Sequence, residues 1–310
     1  MKILITGGAG FIGSNVADAY LAAGHKVLIV DNLATGNRRN INPKAIFYEA
    51  DICEESLSAI FAKEKPDIVN HHAAQISVPL SIENPLFDVK TNVLGWVNVL
   101  QNCVNYAVKK VIYISSGGAI YGEAQEYPTT ENYAPKPLSM YAIDKKAGED
   151  YLYFYHHQYG LAYTVLRYAN VYGPRQISCG EAGVVSLFTE KLLQREIPTV
   201  YRYDDEPEGM IRDYVFVGDV VKANLLALEK GDSEAFNIST CLETTTNKLY
   251  HEIARQLDIN EEPNYGSARK GDLHRSLLSY NKAKNILGWK PETNLSEGIS
   301  AVIKYFKELK

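Results

Sequence analysis

Apolar residues in the first half of the chain come in short runs separated by longer amphipathic stretches. Lys2-Ile3-Leu4-Ile5, Lys26-Val27-Leu28-Ile29-Val30, Ala45-Ile46-Phe47-Tyr48, Asp67-Ile68-Val69-Asn70, Lys110-Val111-Ile112-Tyr113-Ile114 and Ala162-Tyr163-Thr164-Val165-Leu166-Arg167 each read as a strand. Over residues 85–107 and 141–159 apolar positions recur at three- and four-residue steps, which predicts helices. Strands this uniformly apolar are buried on both faces, so the alternation predicts an α/β fold: a doubly wound parallel sheet joined by right-handed crossovers. Residues 123–139, with Pro128, Pro135 and Pro137, predict an irregular loop over the carboxyl edge of that sheet, where ligands bind in such folds. After Tyr172-Gly173-Pro174-Arg175 the pattern loosens, and a final helix is expected over residues 295–309. The chain therefore divides into a sheet domain of residues 1–172 plus about 213–235, and a smaller discontinuous C-terminal lobe of about 173–212 plus 236–310 that binds substrate.

The first apolar run empties into Thr6-Gly7-Gly8-Ala9-Gly10-Phe11-Ile12-Gly13, and an amphipathic stretch follows it to Gly24. Glycines at Gly7, Gly10 and Gly13 suit a turn that bends tightly, lets backbone approach a pyrophosphate and packs the next helix near the strand. Free N–H groups at the start of that helix would face the phosphates. The second strand closes on Asp31, about 20 residues on, where a carboxylate meets ribose hydroxyls. A carboxylate there repels a 2′-phosphate, so the expected cofactor is NAD rather than NADP. Asp51-Ile52 follows the third strand as an acidic–apolar pair suited to adenine.

Composition narrows the partners. Against 32 Lys and Arg stand 37 Asp and Glu, a net charge of −5 that offers no field for nucleic acid or an anionic membrane. Cys53, Cys103, Cys179 and Cys241 are scattered without metal-ligand or disulfide spacing, and are expected to be reduced thiols. Met1 runs directly into the first strand, leaving no room for a signal sequence, so a cytoplasmic enzyme is expected.

Ser116 closes a buried strand, and Tyr141 and Lys145 stand four apart on one helix face. A phenol with a solution pKa of about 10 is a poor base at neutral pH, but a neighbouring ammonium favours its phenolate. Such a phenol can take a proton from a sugar hydroxyl while hydride leaves the same carbon, with Ser116 positioning that hydroxyl.

Taken in order, Thr6 to Ser14, His72-Ala73-Ala74-Gln75, Thr91-Asn92-Val93-Leu94-Gly95, Ser115-Ser116-Gly117-Gly118-Ala119-Ile120-Tyr121-Gly122, Tyr141 with Lys145, Leu166 to Arg175 and Arg212-Asp213-Tyr214-Val215 resemble the extended short-chain dehydrogenase/reductases, and most closely the UDP-glucose 4-epimerases. The resemblance spans the chain and implies a Rossmann domain. It implies Ser116, Tyr141 and Lys145 as the catalytic set. It implies Phe11, Ile12, Asn32, Ala73, Gln75, Asn92 and Tyr168 at the cofactor, together with Tyr141 and Lys145. Asn170, Val184, Arg212, Arg269 and Asp272 would bind the nucleotide sugar, the arginines through forks that match diphosphate oxygens. Ser276 would line the sugar pocket, where a small side chain leaves room for an N-acetyl group. Related dehydratases and decarboxylases carry Asp or Glu directly after the hydroxyl residue, whereas Gly117 and Gly118 stand here. Reversible oxidation at C4 of a UDP-hexose, through a transient 4-keto sugar, is therefore the implied reaction. A uronate epimerase, a net reductase and a non-catalytic NAD sensor are the alternatives.

Two stretches depart from the pattern: residues 201–210, ahead of the Arg-Asp-Tyr motif, and Glu181-Ala182-Gly183-Val184-Val185, which lacks polar side chains. His71-His72 reads as structural rather than as a metal pair, because neighbouring strand residues point to opposite faces. No metal is expected. The aromatic run from Tyr151 to Tyr155, with His156 and His157, suits packing or a homodimer face; the resemblance implies a dimer in which two helices from each subunit, near 85–107 and 141–159, form a bundle.

Overall fold

Seven strands, all parallel, form the central sheet of the computed structural model, which describes residues 1–177, 183–269 and 271–309. In chain order they are Lys2–Thr6 (β1), Lys26–Asp31 (β2), Ile46–Glu49 (β3), Ile68–His71 (β4), Lys110–Ser116 (β5), Ala162–Tyr168 (β6) and Glu234–Ile238 (β7). Across the sheet the order is β3-β2-β1-β4-β5-β6-β7, the doubly wound arrangement that the apolar runs predict. The winding reverses between β1 and β4, whose ends Thr6 and His71 lie in register. A crevice opens there at the carboxyl edge.

Two apolar layers sandwich the sheet. One packs Ile3, Ile5 and Ile29 against Val16 and Tyr20 of helix Phe11–Ala22 and Val220 and Ala223 of helix Val217–Ala227. The other packs Leu4, Leu28 and Val111 against Phe61, Trp96, Leu100 and Leu152. Trp96 is fully buried, and its indole N–H donates to the Gly148 carbonyl, tying helix Gly95–Asn105 to helix Met140–Tyr159. A third core, with Phe188, Val200, Leu249, Tyr250, Ile253, Ile299 and Val302, belongs to the C-terminal lobe.

The expected boundary near residue 235 requires correction. β7 straddles it and pairs with β6 through Ile238, so the sheet retains residues assigned to the lobe. Leu278, Ala283, Leu287 and Trp289 likewise pack on the sheet core. Composition cannot register this return, because a segment's apolar residues do not reveal which distant surface they bury. Residues 85–107 also form three consecutive helices, Pro85–Val89, Lys90–Leu94 and Gly95–Asn105, preceded by Val78–Glu83. The proline-rich residues 123–139 are irregular and clamp onto the returning segment: Thr129 N–H donates to Leu277 O, and Ser279 N–H to Thr129 O. No helix among the described residues is long and apolar enough to cross a membrane.

Candidate active site

The glycine turn sits at the crevice. Gly7 has φ +70°, and a Cβ on it would lie 2.6 Å from Ala73 N; a Cβ on Gly13 would lie 2.4 Å from Gly7 O. No residue with a side chain fits either position without moving backbone. Gly10 caps helix Phe11–Ala22 with no side-chain bond, and the first turn carries no acidic residue. The N–H groups of that turn, which have no intrahelical acceptor, are left for a pyrophosphate. Asp31 accepts from Ala9 N–H at 2.9 Å through Oδ2 and from Leu33 N–H at 2.8 Å through Oδ1. It thus braces the glycine turn and caps the following one, and each oxygen keeps a lone pair for a ribose hydroxyl. Asn32 Nδ2 donates to Asp51 Oδ2, joining the ends of β2 and β3 around the same edge.

On the other side of the crevice, the Ser116 hydroxyl at the end of β5 neighbours the Tyr141 phenol. Ser116 also heads the short helix Gly117–Ile120 but makes no capping bond, so its hydroxyl is not held by the backbone. Lys145 Nζ donates to Ile114 O at 3.0 Å and lies 6.0 Å from the centroid of the Tyr141 ring. Burial pushes the Tyr141 phenol up to about 12, against the hydrogen bond from Ser116 and with Asp88 adding to the rise. Burial removes the water that would solvate the anion, and the lysine is aimed at a carbonyl.

Three further residues converge beside Ser116. A Cβ on Gly118 would lie 3.5 Å from Asn170 Oδ1 and 3.9 Å from Ser276 Oγ. Asn170 Oδ1 is buried and has no hydrogen-bond partner among the described residues, which suits a ligand hydroxyl. A Cβ on Gly117, by contrast, would meet Leu278 Cδ1 at 2.5 Å and Arg167 O at 3.2 Å, so the core leaves no place for a carboxylate there. In the lobe, half-buried Arg212 donates to Ile211 O and meets no carboxylate among the described residues. Arg269 lies over the Tyr201 ring at 4.2 Å, and its backbone N–H donates to Asp272 Oδ2.

These groups place the glycine turn and Asp31 on one side of a crevice, half-buried Ser116 and Tyr141 with buried Lys145 on the other, and Asn170 and Ser276 beside them. The model of the NAD dependent epimerase/dehydratase family matches residues 3–239. The chain belongs to that family. A UDP-glucose 4-epimerase from Thermotoga maritima, solved with UDP-glucose, is 48% identical with a TM-score of 0.96, over 100% of this chain and 99% of its own. A Thermus thermophilus UDP-glucose 4-epimerase in complex with NAD is 41% identical at a TM-score of 0.95, over 99% of each chain. A UDP-N-acetylglucosamine 4-epimerase from Methanobrevibacter ruminantium M1, in complex with UDP-N-acetylmuramic acid, is 33% identical at 0.93, over 100% of this chain and 99% of its own.

Within this NAD-dependent epimerase/dehydratase frame, the remaining expected residues fall at different depths. Gln75 and Asn92 hold each other: Gln75 N–H donates to Asn92 Oδ1 at 2.9 Å, and Asn92 Nδ2 to Gln75 O at 3.0 Å. They shape the loop after β4 through Ala73, whose N–H donates to Thr6 Oγ1. Ile52 and Tyr168 are core residues; the Tyr168 hydroxyl accepts from Asn224 Nδ2. Phe11 and Ile12 open the glycine-turn helix, and Ile12 packs on the sheet core. Val184 begins helix Val184–Leu193 and packs into the lobe core, while Cys179, Glu181 and Ala182 lie outside the described residues. His71 is engaged with the Thr6 hydroxyl and stacks on Trp96. Burial, with Lys145 adding to it, holds His72 down at about 3.

Sequence reasoning missed two features. The unusual residues 201–210 supply Tyr203, which stacks on His274 at 3.7 Å and donates to Asp272 O at 2.6 Å, so this stretch braces the arginine-flanked end of the pocket. Its alternating aromatic and charged residues were the available signal. The second feature is the carboxyl of Asp88, which accepts from both Gln75 Nε2 and Asn92 Nδ2.

Proposed function

We propose that the chain is a nucleotide-sugar 4-epimerase that interconverts UDP-glucose and UDP-galactose and accepts their N-acetyl forms. The observation that carries this is the meeting of Ser116, at the end of β5, with Tyr141 and Lys145 on the helix packed against that strand, with glycine at position 117. NAD, held by Gly7, Gly10, Gly13 and Asp31, supplies the acceptor and donor of the hydride. Tyr141 takes the proton of the sugar's C4 hydroxyl and later returns it, and Ser116 orients that hydroxyl. Lys145, on the same helix face as Tyr141, brings a positive charge to the phenol's surroundings. Arg212 and Arg269 grip the diphosphate, and Asp272 accepts from ribose hydroxyls. Asn170, with its unpartnered oxygen, takes a sugar hydroxyl, and Ser276 leaves room at C2. Without a carboxylate after Ser116, elimination and decarboxylation lack their acid–base group.

In this reading the sheet domain binds NAD and the lobe built around Phe188, Tyr250 and Val302 binds the nucleotide end. Homodimerisation is supported by Leu86, Leu94, Tyr153 and Phe154, which are 82%, 61%, 66% and 51% exposed on neighbouring helices. A monomeric mass in light scattering overturns it. The free thiols of Cys53, Cys103 and Cys241 support a cytoplasmic setting.

The test is to mix purified protein with UDP-galactose, without reductant, and follow UDP-glucose by NMR. Interconversion without net NADH is expected. Failure with UDP-hexoses and UDP-N-acetylhexosamines, while NAD is bound, overturns the proposal.

A further inference from the structure

Behind Lys145 lies a pair of carboxyl groups with no part in proton abstraction itself. Asp88 on helix Pro85–Val89 is fully buried, and Asp144, the residue before Lys145, is 3% exposed. The two helices pack together and bring the carboxyl groups close enough for Asp88 to raise Asp144, yet two ionised carboxylates have no proton to share. Asp88 Oδ1 accepts from Gln75 Nε2 at 2.5 Å and from Asn92 Nδ2 at 3.2 Å, while Asp88 Oδ2 and Asp144 Oδ2 are buried without any donor. Each such orphan is costly to bury, and like charges in contact resist joint ionisation. A single proton between the two orphaned oxygens removes both penalties.

We propose that Asp88 and Asp144 hold one proton between them and serve as positioning residues for Tyr141 and Lys145, keeping the lysine charged with one negative charge rather than two. Its kinetic consequence rests on the epimerase reading above. Burial first, then the hydrogen bond and charge of Asp88, push the Asp144 carboxyl up to about 7, with Lys145 opposing. The other groups facing the pair come from four elements. Lys145, Tyr141 and Glu149 stand on the same helix, Tyr113 on β5, His71 and His72 at the end of β4, and Asn92 on Lys90–Leu94. Both histidines are held neutral by burial, so Lys145 is the one cation among these groups. The charge of Asp88 draws Lys145 up and also pushes the Tyr141 phenol up. A second negative charge in this cluster therefore opposes the phenolate that takes the substrate proton, and turnover falls as pH rises through the ionisation of the pair.

The deciding experiment is infrared difference spectroscopy of the NAD-loaded protein across neutral pH. A carbonyl band of a protonated, buried carboxylic acid that disappears near neutrality is expected in the wild type and absent from Asp144→Asn. In Asp88→Asn burial still raises Asp144 but the contribution of Asp88 is gone, so the band is expected to disappear at lower pH than in wild type; an unchanged midpoint overturns the proposal, and this variant carries the test if Asp144→Asn fails to fold. In parallel, kcat for UDP-galactose is expected to show a neutral inflection that Asp144→Asn loses. Absence of the band in wild type, or an unchanged inflection in Asp144→Asn, overturns the proposal. A titrating band with no epimerisation at any pH supports the shared proton and counts against the epimerase reading alone.

Discussion

The ammonium of Lys145 donates to the carbonyl oxygen of Ile114 at 3.0 Å, two residues before Ser116 on the same strand. A buried cation held by a neutral acceptor is poorly compensated. Burial pushes Lys145 down from 10.5 to about 8, against the pull of Asp88, Asp144 and Glu149. The folded value lies below the unfolded one, so the charged lysine costs stability at neutral pH, and the cost fades as pH rises from about 8 toward the unfolded value. The shift corresponds to about 3 kcal/mol. Lys145→Met is therefore expected to be more resistant to denaturant than wild type at neutral pH, with a gap that closes in alkali, while turnover is lost. A gap independent of pH would count against this account.

On the proposed reading, Tyr141→Phe removes the group that exchanges a proton with a hydroxyl held by Ser116. Loss of about 10²–10⁴ in kcat is expected. NAD should remain bound, because the phenol takes no part in the glycine turn or in the contacts of Asp31. Equilibrium titration of NAD against the variant separates the two effects.

Gly117 is confined by the core rather than by its own backbone. Because its Cβ would meet Leu278 Cδ1, Gly117→Ala is expected to cost about 1–3 kcal/mol through overpacking. Truncating the neighbour should recover part of the loss. In a double-mutant cycle with Leu278→Ala, the combined variant should be more stable than the sum of the single effects; strict additivity would show that the two side chains do not compete for space.

Ser276 stands near Gly118 and Asn170, and its N–H donates to Ile211 O, which fixes its backbone beside the Arg212 strand. A tyrosine there fills the space left for a C2 substituent. Turnover of UDP-N-acetylgalactosamine should fall at least tenfold in Ser276→Tyr relative to UDP-galactose, an effect of roughly 1.4 kcal/mol or more. Equal losses on both substrates would place Ser276 away from C2.

Arg167 and Glu149 form a buried bidentate pair beneath the site, with Nη2 to Oε2 at 2.6 Å and Nε to Oε1 at 3.0 Å. Glu149 Oε1 also accepts from Ser115 Oγ, and Arg167 Nη1 donates to the Tyr121 hydroxyl. Arg167→Met strands a buried carboxylate, and a loss of about 3–5 kcal/mol is expected in denaturant unfolding. Glu149→Ala in the same background should then cost less than it does alone.

Much of this site could be read along the chain. The run from Ile3 to Gly13, Asp31 at the end of the second strand, and Ser116 with Tyr141 and Lys145 each depend on spacing within one or two elements, and the sheet brings them to one edge as expected. The lobe was harder to read. Leu278 and Trp289 return to the sheet core, and Tyr203 meets His274 across about seventy residues, relations that no local periodicity encodes.

The sequence by itself determined the alternation of strand and helix, the glycine turn, the acidic end of the second strand and the order of the hydroxyl, phenol and amine. Those features arise from backbone sterics and side-chain period, which act over a few residues. Tertiary structure alone decided that burial raises the Tyr141 phenol, that Gly117 is confined by Leu278, and that Asp88 comes to act on Asp144 behind Lys145. Desolvation and excluded volume depend on what distant segments bring against a group, and the chain acquires those only by folding.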